Sequence, residues 1–194
     1  MFRFDLGTLP AGAVVTGAEV SLYVSKQPDP DQHGGPVSTD FSLYRMFVSW
    51  GEGTGSNATG TVAMPGNATW NERHYGSTAW ASPGALIGAD YAATASATTA
   101  VGGVGAYLWR SSAALVDDVK AWQADPAANF GFILVSQGES SLGSGRRFGS
   151  KEQPGGLIPP AQLTLTYTLV PEPAVAGLLL TALAGLALRR VRRD

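Results

Sequence analysis

From Gln162 to Leu169 the chain alternates without a break. Leu163, Leu165, Tyr167 and Leu169 are apolar, and Gln162, Thr164, Thr166 and Thr168 between them are polar. A period of two puts each set on its own face of a pleated strand, so one face must be covered by other apolar surface. The backbone of such a strand also needs neighbours, because its amides and carbonyls are not satisfied within the segment. The same alternation recurs upstream. Phe2, Phe4 and Leu6 alternate with Arg3 and Asp5, and Val20, Leu22 and Val24 with Glu19, Ser21 and Tyr23. Phe41, Leu43 and Arg45 alternate with Ser42, Tyr44 and Met46 in a segment that runs on through Phe47 and Val48 to Trp50. Residues 107–110 and 146–149 read as shorter strands. Phe130, Phe132, Ile133, Leu134 and Val135 form an apolar run between turn residues, as a central strand would.

One stretch has helical spacing instead. Leu115, Val116, Val119 and Trp122 fall on one face, Ser111 or Ser112 suits the N-cap, and Asp125-Pro126 stops the run. Residues 51–105 are harder to place. They are rich in Gly, Ala, Ser and Thr, with Trp70, Tyr75, Trp80 and Tyr91 spaced through them. Short strands are expected at Thr69-Trp70 and over 95–99. Many short strands separated by turns, with 25 glycines and 12 prolines in 194 residues, predict an all-β fold: an antiparallel jelly-roll β-sandwich with one short helix.

The last 25 residues follow different rules. Pro171, Glu172 and Pro173 come first; the two prolines fix φ and remove backbone donors, which keeps the segment extended and out of a sheet. Residues 174–188 carry no charge, and Thr181 alone interrupts their apolar character. As a helix they reach about 22 Å, short of the roughly 30 Å of a bilayer core. Arg189, Arg190, Arg192 and Arg193 follow and can snorkel to the headgroups. Positive charge favours the cytoplasmic side, so the body would stand outside.

This order resembles the PEP-CTERM sorting signal of Gram-negative bacteria that make extracellular polysaccharide. The resemblance implies an inner-membrane anchor and a partner, the membrane enzyme exosortase, which is thought to cut near Pro171-Glu172-Pro173 and release the body into the envelope or beyond. An exported body requires an export signal, yet Met1 leads straight into FRFDL with no basic and apolar leader. The coding sequence ahead of Met1 is therefore expected to hold a signal peptide and at least one more strand. The chain divides at this point into residues 1–169, the body, and 170–194, the sorting and anchor segment with its single hydrophobic helix.

The body resembles DNRLRE domains. The likeness lies in an ordered set: RFDLGTLPAGAVVTGAEVSLYV, Trp50-Gly51-Glu52-Gly53, Ala68-Thr69-Trp70-Asn71, LVDDVKAWQADPAANFGFILV, RRFGSKE and PAQLTLTYT. Those domains are jelly-roll modules of secreted and surface proteins, similar to carbohydrate-binding modules. The namesake hexapeptide is absent, and Ser150-Lys151-Glu152 stands nearest to its charged segment. The resemblance implies a protein without enzymatic activity that meets extracellular polysaccharide.

Composition narrows the chemistry. There is no cysteine, which excludes disulfides, thiol nucleophiles and Cys-ligated zinc. The net charge of -2 includes the four tail arginines, so the body is more acidic and poorly suited to nucleic acid. The two histidines, His33 and His74, are far apart, and no HExxH, phosphate loop or GxSxG is present. Three candidate sites remain. Sugar rings stack on exposed aromatic faces; Trp70, Tyr75, Trp80, Tyr91 and Trp109 are available, with Trp80 and Tyr75 the first choices because polar residues surround them. Trp50 and Trp122 are assigned to the core. Arg146 and Arg147 suit an acidic polysaccharide. Asp29, Asp31 and Asp40, with Gly34, stand at EF-hand spacing for a calcium ion, although no helices flank them and His33 is a poor ligand. Glu52 and Glu72 are the carboxylates for a rival reading, an anchored polysaccharide-active enzyme. A purely structural biofilm component is the third reading.

Overall fold

The computed structural model describes residues 1–33, 35–53, 62–151 and 158–170. The Pro-Glu-Pro motif, the apolar run, the four terminal arginines, Gly34 and Glu152 lie outside the described residues. Among the described residues no helix is long and apolar enough to cross a membrane.

The fold is mostly β, in antiparallel sheets, with one helix of substantial length. Strand β1, Ala13–Lys26, is its centre. On one edge it pairs with β6, Gly105–Trp109. On the other it pairs first with β9, Gln162–Leu169, and then with β8, Arg147–Phe148. Sequence alternation exposes only the second half of β1, from Val20 to Val24. The register with β9 shifts between Val15 and Gly17, and this irregularity moves the buried side from Val15 to Ala18 and Val20. A bulge of this kind hides a long strand from a strict period of two.

The second sheet has the order β5-β2-β7: Ala97–Val101, Thr39–Arg45 and Phe132–Ser136. Its core residues Phe41, Leu43, Val101 and Phe132 share one cluster with Val15, Val20, Leu22 and Val24 of β1. Trp109 ties the two sheets together. It is fully buried, and its indole N–H donates to the Phe41 carbonyl at 2.7 Å. Phe148 packs edge-on against Phe41, with centroids 5.5 Å apart. At one side of the molecule β5 passes to β6 through Gly102–Val104, and Tyr107 clamps this crossing. Its hydroxyl accepts from the Gly102 amide at 3.0 Å and donates to the Gly103 carbonyl at 2.9 Å.

The helix stands where its spacing placed it. Helix α2, Ala113–Ala124, follows the short α1, Pro30–His33, in chain order; Ser112 is its N-cap and accepts from the Leu115 amide at 3.0 Å. It buries Leu115, Val116, Val119 and Trp122, and Trp122 meets Phe132 at 4.7 Å between centroids.

Three expected strands are corrected, the first being β2, which stops at Arg45 and does not run on to Trp50. Phe2, Phe4 and Leu6 do pack on the core, but only Phe2 pairs, exchanging both backbone bonds with Phe132. The alternation there reports burial without a ladder. Thr69-Trp70 is a bend, and the local strands are β3, Glu72–His74, and β4, Thr78–Ala79. The other short strands lie within two residues of their expected ranges.

One carboxylate is placed at a cost. Asp118 of α2 accepts from Ser96 Oγ at 2.5 Å and meets Arg45 Nε at 3.4 Å. Burial raises its pKa and neighbouring Asp117 adds to this, while Ser96 and Arg45 oppose it. A carboxyl whose folded-state pKa is raised favours the fold most when protonated. Its contribution is complete below the ordinary carboxylate pKa and is lost as pH rises through the folded value. We therefore expect Asp118→Asn, which keeps an acceptor for Ser96, to flatten the fall in melting temperature above about pH 4. Thermal melts of both proteins across the acid range check this.

Candidate functional site

The two sheets close at the β5–β6 side and stand apart at the opposite side. There a groove of about 1250 Å³ is lined by Leu22, Phe41, Leu134 and Phe148 within and by Glu52 and Lys151 among its polar residues. Phe132 directs its N–H and C=O outward to Phe2, so by the alternation of an antiparallel strand Leu134 and Ser136 point theirs the same way. No described strand pairs with them there. Glu52 Oε1 lies 2.6 Å from Lys151 Nζ. Glu72 does not line this groove and instead accepts from the Gly76 amide at 3.2 Å. The two carboxylates considered for catalysis are thus engaged separately.

Residues 62–91 form a loop assembly around the β3–β4 hairpin. Arg73 donates to the Ser49 carbonyl at 2.8 Å and to its hydroxyl at 2.9 Å. His74 lies 3.2 Å from the same hydroxyl through Nε2 and 3.4 Å from the Gly66 carbonyl through Nδ1. Spacing along the chain gave no sign of this Ser-His contact, because Ser49 and His74 are 25 residues apart. A nucleophile and an oriented base are two parts of an acyl-transfer site. Here the hydroxyl is also held by Arg73, and neither residue lines the groove. The network's evident work is to fasten the hairpin to the segment that follows β2. Asp90 anchors the far end of the assembly. It is 4% exposed and accepts from the Ala81 amide at 3.0 Å and the Leu86 amide at 2.7 Å.

The aromatic residues sort differently from the sequence expectation. Trp80, a first choice for exposure, is buried at 6%, and its indole N–H donates to the Thr69 carbonyl at 2.9 Å. Polar neighbours in sequence here become the packing of a folded loop. Trp109 is core and has no open face. Tyr91 packs on Tyr44 at 5.3 Å, and burial raises its pKa. Tyr75 is exposed, as expected. Trp70 is the most open of these rings, at 71% exposure. Sequence reasoning named it among the available platforms but ranked Trp80 and Tyr75 ahead of it, although its polar neighbours Thr69 and Asn71 and the Pro83-Gly84 turn on which it rests were available signals.

Arg147 is exposed, but Arg146 is committed inward. Its guanidinium donates to the carbonyls of Gly102, Gly143, Gly145 and Val37 at 2.5–2.8 Å, and burial lowers its pKa. The calcium spacing is also reshaped. Asp29 Oδ1 accepts from the Asp31 amide at 2.9 Å at the start of α1, whereas Asp40 is part of the β2 ladder opposite Ala100. Among the described residues no group of three or more acidic or histidine side chains is placed to hold a metal ion.

Compared with protein-family models, curated proteins and solved structures, the chain gave no match.

Asp90 should be the loop's thermodynamic anchor. Asp90→Ala takes the shared acceptor away from the part-buried Ala81 and Leu86 bonds, a loss of about 1–3 kcal/mol. We expect faster hydrogen exchange at those two amides, while exchange in β1 stays unchanged at temperatures well below the melt.

Proposed function

We propose that this chain is an exported, non-enzymatic surface or matrix protein. Its body is a jelly-roll sandwich of the DNRLRE kind, and its tail is a PEP-CTERM signal. The tail holds the body outside the inner membrane until exosortase cuts near Pro171-Glu172-Pro173 and passes it to the extracellular polysaccharide. The observation that carries this reading is the junction of the two parts. Strand β9 ends at Leu169, the Val170 amide donates to the Gly12 carbonyl at 3.0 Å, and the motif begins at the next residue. A processing enzyme needs an extended peptide clear of the sheet, and two prolines favour that form directly after the last backbone tie among the described residues. The antiparallel pairing, with a crossing from β5 in one sheet to β6 in the other, supports the jelly-roll reading.

The rival reading, a polysaccharide-cleaving enzyme, draws on the groove, where Glu52 and Glu139 both stand. Glu52 is tied to Lys151, and this favours the non-enzymatic role.

Sorting is tested by pulse-labelling the full chain, fused to an export signal, in a host with and without exosortase. With the enzyme, a shorter released form should replace the membrane form. Pro171→Ala combined with Glu172→Ala and Pro173→Ala should hold the protein uncut in the membrane. Recovery of the exosortase-treated protein with its tail intact would sink the proposal, and release of reducing ends from a polysaccharide would transfer the case to the enzyme.

A further inference from the structure

Trp70 differs from every other tryptophan on which a sugar platform was considered. One side of its six-membered ring lies against Gly84, so closely that a Cβ there would stand 2.5 Å from Cη2. The remainder of the side chain is open, at 71% exposure. The Gly84 amide donates to the Trp70 carbonyl at 2.6 Å, so backbone and ring are seated on the same residue. Gly84 itself is a corner of the turn Ser82–Ala85, closed by the Ala85 amide on the Ser82 carbonyl at 3.0 Å, with Pro83 ahead of it. Its φ of 84° has the sign that a type II turn requires at that corner.

The seat is held under strain. Ala85 has φ 72° and is the sole non-glycine residue with positive φ among the described residues. A side chain in that region is strained and persists where its surroundings dictate it. Here the surroundings are the buried Asp90 carboxylate, which grips the amides of Ala81 and Leu86 on either side of the turn. The loop therefore invests stability in fixing an apolar plane that points to solvent. A flat, rigid ring with few rotamers to freeze is suited to binding, since little ordering is left to be done when the ligand arrives.

We propose that the open face of Trp70 is a stacking site for one pyranose ring of an uncharged polysaccharide. This rests on the sugar-facing reading above and gives that reading a site and a ligand class. A pyranose offers C–H groups on a face and hydroxyls around its rim. The plane takes the face, and Asn71 takes the rim. Asn71 is exposed, its carbonyl is fixed by the Trp80 amide at 3.3 Å, and its carboxamide makes no hydrogen bond among the described residues. The charges next in sequence are already used, Glu72 on the Gly76 amide and Arg73 on Ser49, which points to a neutral ring. A nucleobase also stacks on indole, but an acidic body repels the phosphates that carry it.

Affinity electrophoresis of the full chain in mild detergent tests the site, with gels holding laminarin, galactomannan or polygalacturonate. Retardation is expected in a neutral polymer and not in polygalacturonate. Trp70→Ala should weaken it about tenfold or more, with the melting temperature unchanged because the ring is exposed. Gly84→Ala, which pushes the ring off its seat while leaving Trp70 in place, should weaken it as well. The site is overturned if neither neutral polymer retards the chain, if polygalacturonate alone does, or if Trp70→Ala runs as the parent. A chain that is sorted and cut but not retarded loses the site and keeps the sorting role. One that is retarded but never cut does the reverse.

Discussion

Strand β1 is paired along nearly its whole length, on one edge by β9 and β8 and from Val20 to Val24 on the other by β6, and the rest of the body is arranged by that fact. Fourteen residues of one strand fix the register of β6 on one side and of β9 and β8 on the other. The irregularity at Val15–Gly17 lets the strand keep an apolar face inward over more turns of twist than a flat strand would allow. Helix α2 then closes the lower end of the same strand, where Gln123 donates to the Ala13 carbonyl at 2.6 Å. The second sheet meets this frame through Trp109, whose indole N–H would be costly to bury without the Phe41 carbonyl. A single hydrogen bond thus links the hydrophobic layer to the register of both sheets.

The fold was legible where one rule governed the residues. In β9 Leu163 and Leu165 pack on the core and the polar residues between them meet solvent, while Tyr167 and Leu169 carry the same alternation into an exposed end. In α2, Ser112, the apolar positions and Asp125-Pro126 all agree on the same boundaries. Legibility failed where backbone and side chain followed different partners. Phe2 to Leu6 has the pattern of a strand because its phenylalanines enter the core, yet its backbone finds β7 at one residue only. At β1 the bulge cut the visible pattern in half.

The candidate site was legible in residue type and not in position. Aromatic residues spaced through 62–91 announced that something was built there. Which of them faced outward depended on contacts between residues ten or more apart. Trp80 turned inward because the Thr69 carbonyl was free to take its N–H, and Trp70 stayed out because a glycine left no room beneath it for anything else. Trp80 has alanine on both sides and Trp70 has threonine and asparagine, a difference too slight to decide burial alone. The two neighbouring arginines divided in the same way: Arg147 faces solvent, while Arg146 is consumed in holding four loop carbonyls together.

Beyond Phe2, no described residue pairs with the outer rim of β7, and this has a consequence of its own. Leu134 and Ser136 present a short rail of backbone donors and acceptors beside an apolar trough, which is the geometry on which foreign β-segments zip. Charge stands at its mouth, in Glu52 and Lys151, and charge is the common natural guard against such adhesion. Neutralising that pair would leave the rail unguarded, and edge-to-edge pairing of two bodies through β7 is the adhesion it would permit.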